Sequence, residues 1–229
     1  MSIEQTTQGI TRDTLQSWRV ALLARDRDGA EARIAAEDQL LESRRLIISD
    51  NDDVSDLWVF GYGSLIYNPI IEHSQRAIAS IYGYHRRLCL WTEIGRGSPD
   101  CPGLVLSLDR GGSCKGVAFR LSPKNAVDEL DLLWRREMMT MAYRPRLLSL
   151  HTDLGLKRGL AFVADPALPA YAPPMPFAET VEIVAKAAGF NGPCRDYLYD
   201  TITGMQAFGI RDHQLEKLAT AVQRRLASS

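Results

Sequence analysis

The spacing of apolar residues changes partway along the chain, and the change divides it. Leu15, Trp18, Leu22 and Leu23 recur at helical intervals behind Thr11 or Asp13 as cap, which predicts an amphipathic helix over residues 11–27. A second helical pattern runs from Glu31 to Leu46. Four aspartates between Ser49 and Asp56 then interrupt the periodicity and mark a boundary: an N-terminal helical extension, 1–56, precedes a larger unit, 57–229. Past the boundary the period is that of strands, predicted at 57–62, 77–84, 86–91, 103–108 and 116–121 between Gly, Pro and Asp turns. Ser122 as cap and Pro123 at the first helical position open a helix to Met139, and strands follow at 143–150 and 159–164. Five of the 11 prolines fall between Pro166 and Pro176, which makes a stiff extended connection that either walls a pocket or crosses the surface passively. Helices at 178–188, 194–208 and 212–226 end the chain. The class is α+β, with a mostly antiparallel, partly closed barrel or sheet flanked by helices.

At 229 residues the chain can build one sizeable core. Lys plus Arg number 27 against 28 Asp plus Glu, so the net charge of -1 gives no field to attract nucleic acid or an anionic membrane. The N-terminus lacks a basic leader and no apolar run approaches the roughly 20 residues of a membrane span, so a cytoplasmic protein is expected. Cys89, Cys101, Cys114 and Cys194 form no C-x-x-C pair and read as buried thiols rather than disulfides or zinc ligands. His73, His85, His151 and His213 lie far apart without metal-ligand spacing.

Two features carry chemistry. The apolar run Leu57-Trp58-Val59-Phe60 leads into Gly61-Tyr62-Gly63-Ser64, where flanking glycines let the backbone turn sharply or approach a ligand closely. Successive amides at such a turn can cradle a carboxylate or an oxyanion, although a purely structural turn has the same residues. No Gly-Lys-Ser/Thr follows, so it is not a phosphate loop. On the helix after Pro123, the residues Val127, Leu130, Trp134 and Glu137 share a face, and Glu137 lies only about 20° around the axis from Leu130. A carboxylate on a core-facing stripe is either paired with Arg135, Arg136, Arg144 or Arg146, or is a general base whose pKa burial raises.

Together, Val59-Phe60-Gly61-Tyr62-Gly63-Ser64-Leu65-Ile66, Gly83-Tyr84-His85-Arg86-Arg87 and Leu133-Trp134-Arg135-Arg136-Glu137-Met138 resemble the ChaC family of γ-glutamylcyclotransferases. The resemblance extends over about 57–226, including Tyr143-Arg144-Pro145 and Tyr197-Leu198-Tyr199-Asp200-Thr201, and leaves the extension uncovered. It implies a γ-glutamylcyclotransferase-like fold for the catalytic domain, 57–229, and cleavage of glutathione to 5-oxoproline and cysteinylglycine without metal or organic cofactor. It also implies Glu137 as catalytic glutamate and Gly61, Tyr62, Gly63, Ser64 and Leu65 as the substrate loop, with Tyr67 where bacterial relatives often have Trp. The residues suit that chemistry, because a γ-glutamyl group carries its own nucleophile and needs a base, oxyanion donors and an acid for the leaving amine.

Arg86 and Arg87 point to opposite faces of a strand, so only one can reach a site, and Arg86 is the candidate carboxylate clamp. Tyr143 and Tyr197 can present hydroxyls to substrate, Tyr143 from an edge strand that Pro145 imposes. Two other readings keep these residues: a cyclotransferase for other γ-glutamyl amines, and a non-catalytic ligand-binding regulator of ion transport. A monomer and a homodimer fit the sequence equally, with a small molecule as the expected partner.

Overall fold

A single hairpin supplies most of the sheet. The computed structural model describes residues 10–17, 19 and 34–228. In it β1 (Trp58–Gly61), α2 (Ser64–Tyr67) and the long strands β2 (His73–Thr92) and β3 (Gly103–Leu121) follow α1 (Glu37–Arg45). Sequence expected four strands where β2 and β3 now stand. Gly111 and Gly112, at φ 95° and 70°, fall where a turn is expected and Gly83, at 84°, near the end of an expected strand; instead they oppose one another in a bulge, where the register slips between Tyr82 and Tyr84. Left-handed glycines bend a paired strand here without ending it.

Then come α3 (Ala126–Glu137), β4 (Arg144–Thr152), β5 (Gly155–Val163), α4 (Phe177–Lys186), the short pair β6 (Ala188–Gly189) and β7 (Gly192–Pro193), α5 (Cys194–Ala207) and α6 (His213–Ala227). The five main strands close into a barrel in the order β1-β3-β2-β4-β5, sealed by parallel pairing of β1 with β5. Strand β4 meets β2 only at Ala79 and Ser80, so its Pro145 end is open on that side, as a proline without an N–H requires. Val59, Phe60, Leu104, Leu106, Phe119 and Phe162 are among the buried side chains of the main core.

Helix α3 starts later than its sequence suggests. Ser122 donates its N–H to Glu72 O and its carbonyl accepts from Asn125 N, so Ser122 and Pro123 form a turn and Asn125 takes the cap position. Val127 is exposed rather than on the core stripe. It lies about 60° around from Leu130, on the side away from Ala126 and Leu133, which are buried. Three of the four cysteines are buried and all four are free, with Cys101 exposed.

The segment ahead of β1 is docked on the barrel. Residues 12–17 are helical, Thr11 caps them by accepting from Thr14 N, and Leu15 packs with Ile34 and Met139. Trp18, Leu22 and Leu23 of the expected helix lie outside the described residues, and residues 34–36 are not helical, so the described part of the second helix begins at Glu37. Arg12 makes a two-pronged ion pair with Glu129, at 2.6 and 2.9 Å, while Glu129 is fully buried and also accepts from Glu72 N. Asn68 Nδ2 donates to Ile10 O at 2.8 Å. Arg12→Ala is expected to cost roughly 2–3 kcal/mol in urea unfolding, below the ~3–5 kcal/mol of a fully buried pair because Arg12 is half exposed. A change below about 0.5 kcal/mol would show that this ion pair does not anchor the segment.

Candidate active site

The glycine turn sits where β1 leaves the barrel. Gly63 caps α2 with φ −130° and ψ −127°, and a Cβ there would lie 2.9 Å from Tyr197 Oη. The close approach, rather than backbone strain, requires glycine. Tyr197 Oη is itself fixed, because it accepts Leu106 N–H at 3.2 Å, and its own hydrogen has no acceptor among the described residues. The amides of Ser64 and Leu65 open α2 and have no carbonyl one turn back within that helix to accept them.

The turn is braced from the barrel side. Tyr62 donates its hydroxyl to Phe162 O at 2.5 Å, and its carbonyl accepts from Arg86 Nε at 2.5 Å. Arg86 also donates to Lys115 O and to Asp212 Oδ2, and the other oxygen of Asp212 caps α6. Arg87 points the opposite way, to Asp109 and Tyr171, as strand alternation requires.

Glu137 ends α3, and the helix delivers it to a cavity of about 1070 Å³ that Ser64, Tyr67, Arg136, Tyr143 and Tyr197 also line. Its side chain is 12% exposed. Arg136 Nε lies 3.0 Å from Glu137 Oε1, close enough for an ion pair but without hydrogen-bond alignment, so Oε1 has no hydrogen-bond partner among the described residues. The same guanidinium donates to Ser64 Oγ at 3.0 Å and to Asn68 O. Arg136 thus joins the glycine turn to the carboxylate, and the two features read separately in the sequence meet.

Burial raises the Glu137 pKa above its ordinary 4.5, and the Arg136 charge opposes the shift. Burial likewise raises the phenols of Tyr62, Tyr143 and Tyr197, with the Glu137 charge adding to each. All three stay protonated at neutral pH and can donate. Tyr143 Oη reaches Leu106 O at 3.4 Å, and its ring stands edge-on to Phe162.

Of the expected site residues, Glu137, Ser64, Tyr143 and Tyr197 line one cavity, as does Tyr67. Gly61, Tyr62, Gly63, Leu65 and Arg86 do not line it. Arg86 is not brought to the substrate side, because its donors are taken by Tyr62 O, Lys115 O and Asp212. Leu65 is buried in the core, and Gly63 meets the site through Tyr197. Sequence reasoning considered Arg136 only as a partner for Glu137, and it missed Asn68 and Arg96. Leu168, Pro169 and Ala170 of the proline-rich connection line the cavity too, and Trp91 N–H donates to Ala170 O. Among the described residues no helix is long and apolar enough to cross a membrane.

The family model described as ChaC-like protein matches residues 57–225. The glutathione-specific gamma-glutamylcyclotransferase of Escherichia coli (strain K12) is 32% identical over 200 residues, which cover 87% of each chain. The Homo sapiens glutathione-specific gamma-glutamylcyclotransferase 1 is 31% identical over 181 residues, covering 76% of this chain and 81% of that one. The crystal structure of a yeast gamma-glutamyl cyclotransferase specific to glutathione superposes with a TM-score of 0.65 at 23% identity, covering 73% of this chain and 96% of the other.

Proposed function

Because this chain belongs to the ChaC family, we propose that it is a γ-glutamylcyclotransferase that splits glutathione into 5-oxoproline and cysteinylglycine. The observation that carries the reading is Glu137 Oε1, a buried acceptor left without a hydrogen bond at the wall of a cavity, beside donors suited to an anion. A buried carboxylate oxygen without a hydrogen bond costs free energy, and a substrate ammonium would relieve that cost.

The steps follow from the groups present. Glu137 takes a proton from the α-ammonium of the γ-glutamyl group. The freed amine attacks the γ-carbonyl carbon and closes a five-membered ring, with no protein nucleophile needed. The new C–N bond pushes electrons onto the carbonyl oxygen. The amide of Ser64 and the Tyr197 hydroxyl, both at the cavity wall, receive the anionic oxygens of the γ-glutamyl group. Glu137 then returns its proton to the cysteine nitrogen as the old C–N bond breaks, and the second proton of the ring nitrogen passes through Glu137 to the released amine, which leaves as an ammonium. Arg136 keeps the carboxylate ionised at the start, while burial keeps it basic enough to accept the proton.

Incubating the purified protein with glutathione, γ-glutamyl-alanine and γ-glutamyl-lysine tests the reading. Release of 5-oxoproline is expected from glutathione well ahead of the other two, and no release from any of them would overturn it.

A further inference from the structure

The cavity is much larger than the γ-glutamyl end alone needs, and its remainder contains a cation poised for a second anion. Among the described residues three cations line it: Arg136, Lys186 and Arg96. Arg136 is committed to Ser64, Asn68 and Glu137. Lys186 is largely exposed and pairs with Glu182 at 2.9 Å.

Arg96 differs from both. Its side chain is only 12% exposed, yet it makes one hydrogen bond, from Nη1 to Pro193 O at 3.3 Å. Its nearest carboxylate, on the half-exposed Asp200, is 4.0 Å away. A guanidinium has five N–H donors in a planar fork, so four lack a hydrogen-bonded acceptor among the described residues. The group is nevertheless held in place. Its plane lies over the Tyr197 ring, 5.9 Å from the centroid, and its loop is tied down by Asn191 N to Gly95 O at 2.7 Å and Phe190 N to Ile94 O at 3.2 Å. A fixed, largely desolvated fork with spare donors is matched by a carboxylate.

Glutathione has two carboxylates, and the geometry separates them. The α-carboxylate shares a carbon with the amine that Glu137 must reach, so it belongs beside Glu137. Arg136 is the cation whose charge acts on Glu137, whereas Arg96 stands across Tyr197 on the loop 93–102. An extended three-residue peptide reaches ~10 Å, and Glu137, Tyr197 and Arg96 line the same cavity. Glu179 and Glu182 line the wall on the α4 side and disfavour an anion there.

Resting on the cyclotransferase reading above, we propose that Arg96 binds the carboxylate at the end of the leaving dipeptide and so makes the enzyme select a charged peptide tail. Arg96 is a specificity residue and takes no part in proton transfer.

The test compares glutathione with its C-terminal amide, γ-glutamyl-cysteinyl-glycinamide, as substrates for the wild type, Arg96→Gln and Arg96→Lys. For Arg96→Gln the KM for glutathione is expected to rise roughly 10- to 100-fold while kcat, and the KM for the amide, stay within about threefold. The wild type should prefer glutathione over the amide by the same factor, and Arg96→Lys should restore part of the preference, since lysine supplies a point charge without the fork. Equal losses on both substrates, or an unchanged KM for glutathione, would overturn the assignment. Absence of 5-oxoproline from both substrates with the wild type would instead overturn the cyclotransferase reading on which it rests.

Discussion

Glu137→Gln is expected to leave a folded protein whose release of 5-oxoproline is slower by about 10²- to 10⁴-fold or more. Glutamine keeps the shape and cannot take the ammonium proton, and the loss should lie in kcat. The wild-type pH profile supplies an independent check. Glu137 must be ionised to act, and its pKa stands above 4.5, so the acidic limb of kcat/KM should lie above pH 4.5 and vanish in the variant. Stability runs the other way. A carboxyl whose folded pKa is raised binds its proton more tightly in the folded state, so its stabilising contribution is present below the unfolded value and is lost as pH rises through the folded one. The glutamine variant should therefore melt at or above the wild-type temperature at neutral pH, with the difference shrinking as pH falls through the raised folded value and gone below pH 4.5. Near-normal turnover by this variant would remove Glu137 from its role.

Gly63→Ala is expected to lower kcat/KM by on the order of 10²-fold, since displacement of catalytic groups by about 1 Å has effects of that size. Its new methyl carbon would stand 2.9 Å from Tyr197 Oη, an atom that cannot swing aside without giving up Leu106 N–H. Gly61→Ala is the matched control, because its Cβ would meet the Leu65 and Phe119 side chains at 3.2 Å and the Leu65 backbone at 3.3 Å, without approaching Tyr197. Steady-state assay of both, with thermal melts to confirm folding, separates a site effect from a packing effect. A fully active Gly63→Ala enzyme would sever the turn from Tyr197.

How much of this was legible in the sequence depended on how local each cause is. Glu137 declared itself because a single helix period put a carboxylate on the Leu130 face. Alternation along β2 separated Arg86 from Arg87, but nothing local could say that Arg86 would be spent on Tyr62 O and on Asp212, a partner 126 residues away. Gly111 and Gly112 carry the local signal of a turn, and only their pairing opposite Gly83 across a long hairpin makes a bulge of them. Likewise Ser122 and Pro123 form a good helix start until Glu72 O claims the Ser122 N–H. Arg96 and Asn68 gave no signal, since each matters only where distant segments meet.

The family match begins at Leu57, but the cavity wall does not, because Ile10 lines it and Ile10 O receives the Asn68 side chain. The Asn68 carbonyl in turn receives Arg136, the residue beside Glu137. Residues 57–229 without the first 56 would thus keep the reactive groups but lose Ile10 from the cavity wall and the carbonyl that receives Asn68. Exchange of the first 56 residues between relatives is a trade of container parts, whose effects would show first in how well substrate is retained rather than in the bond-breaking step.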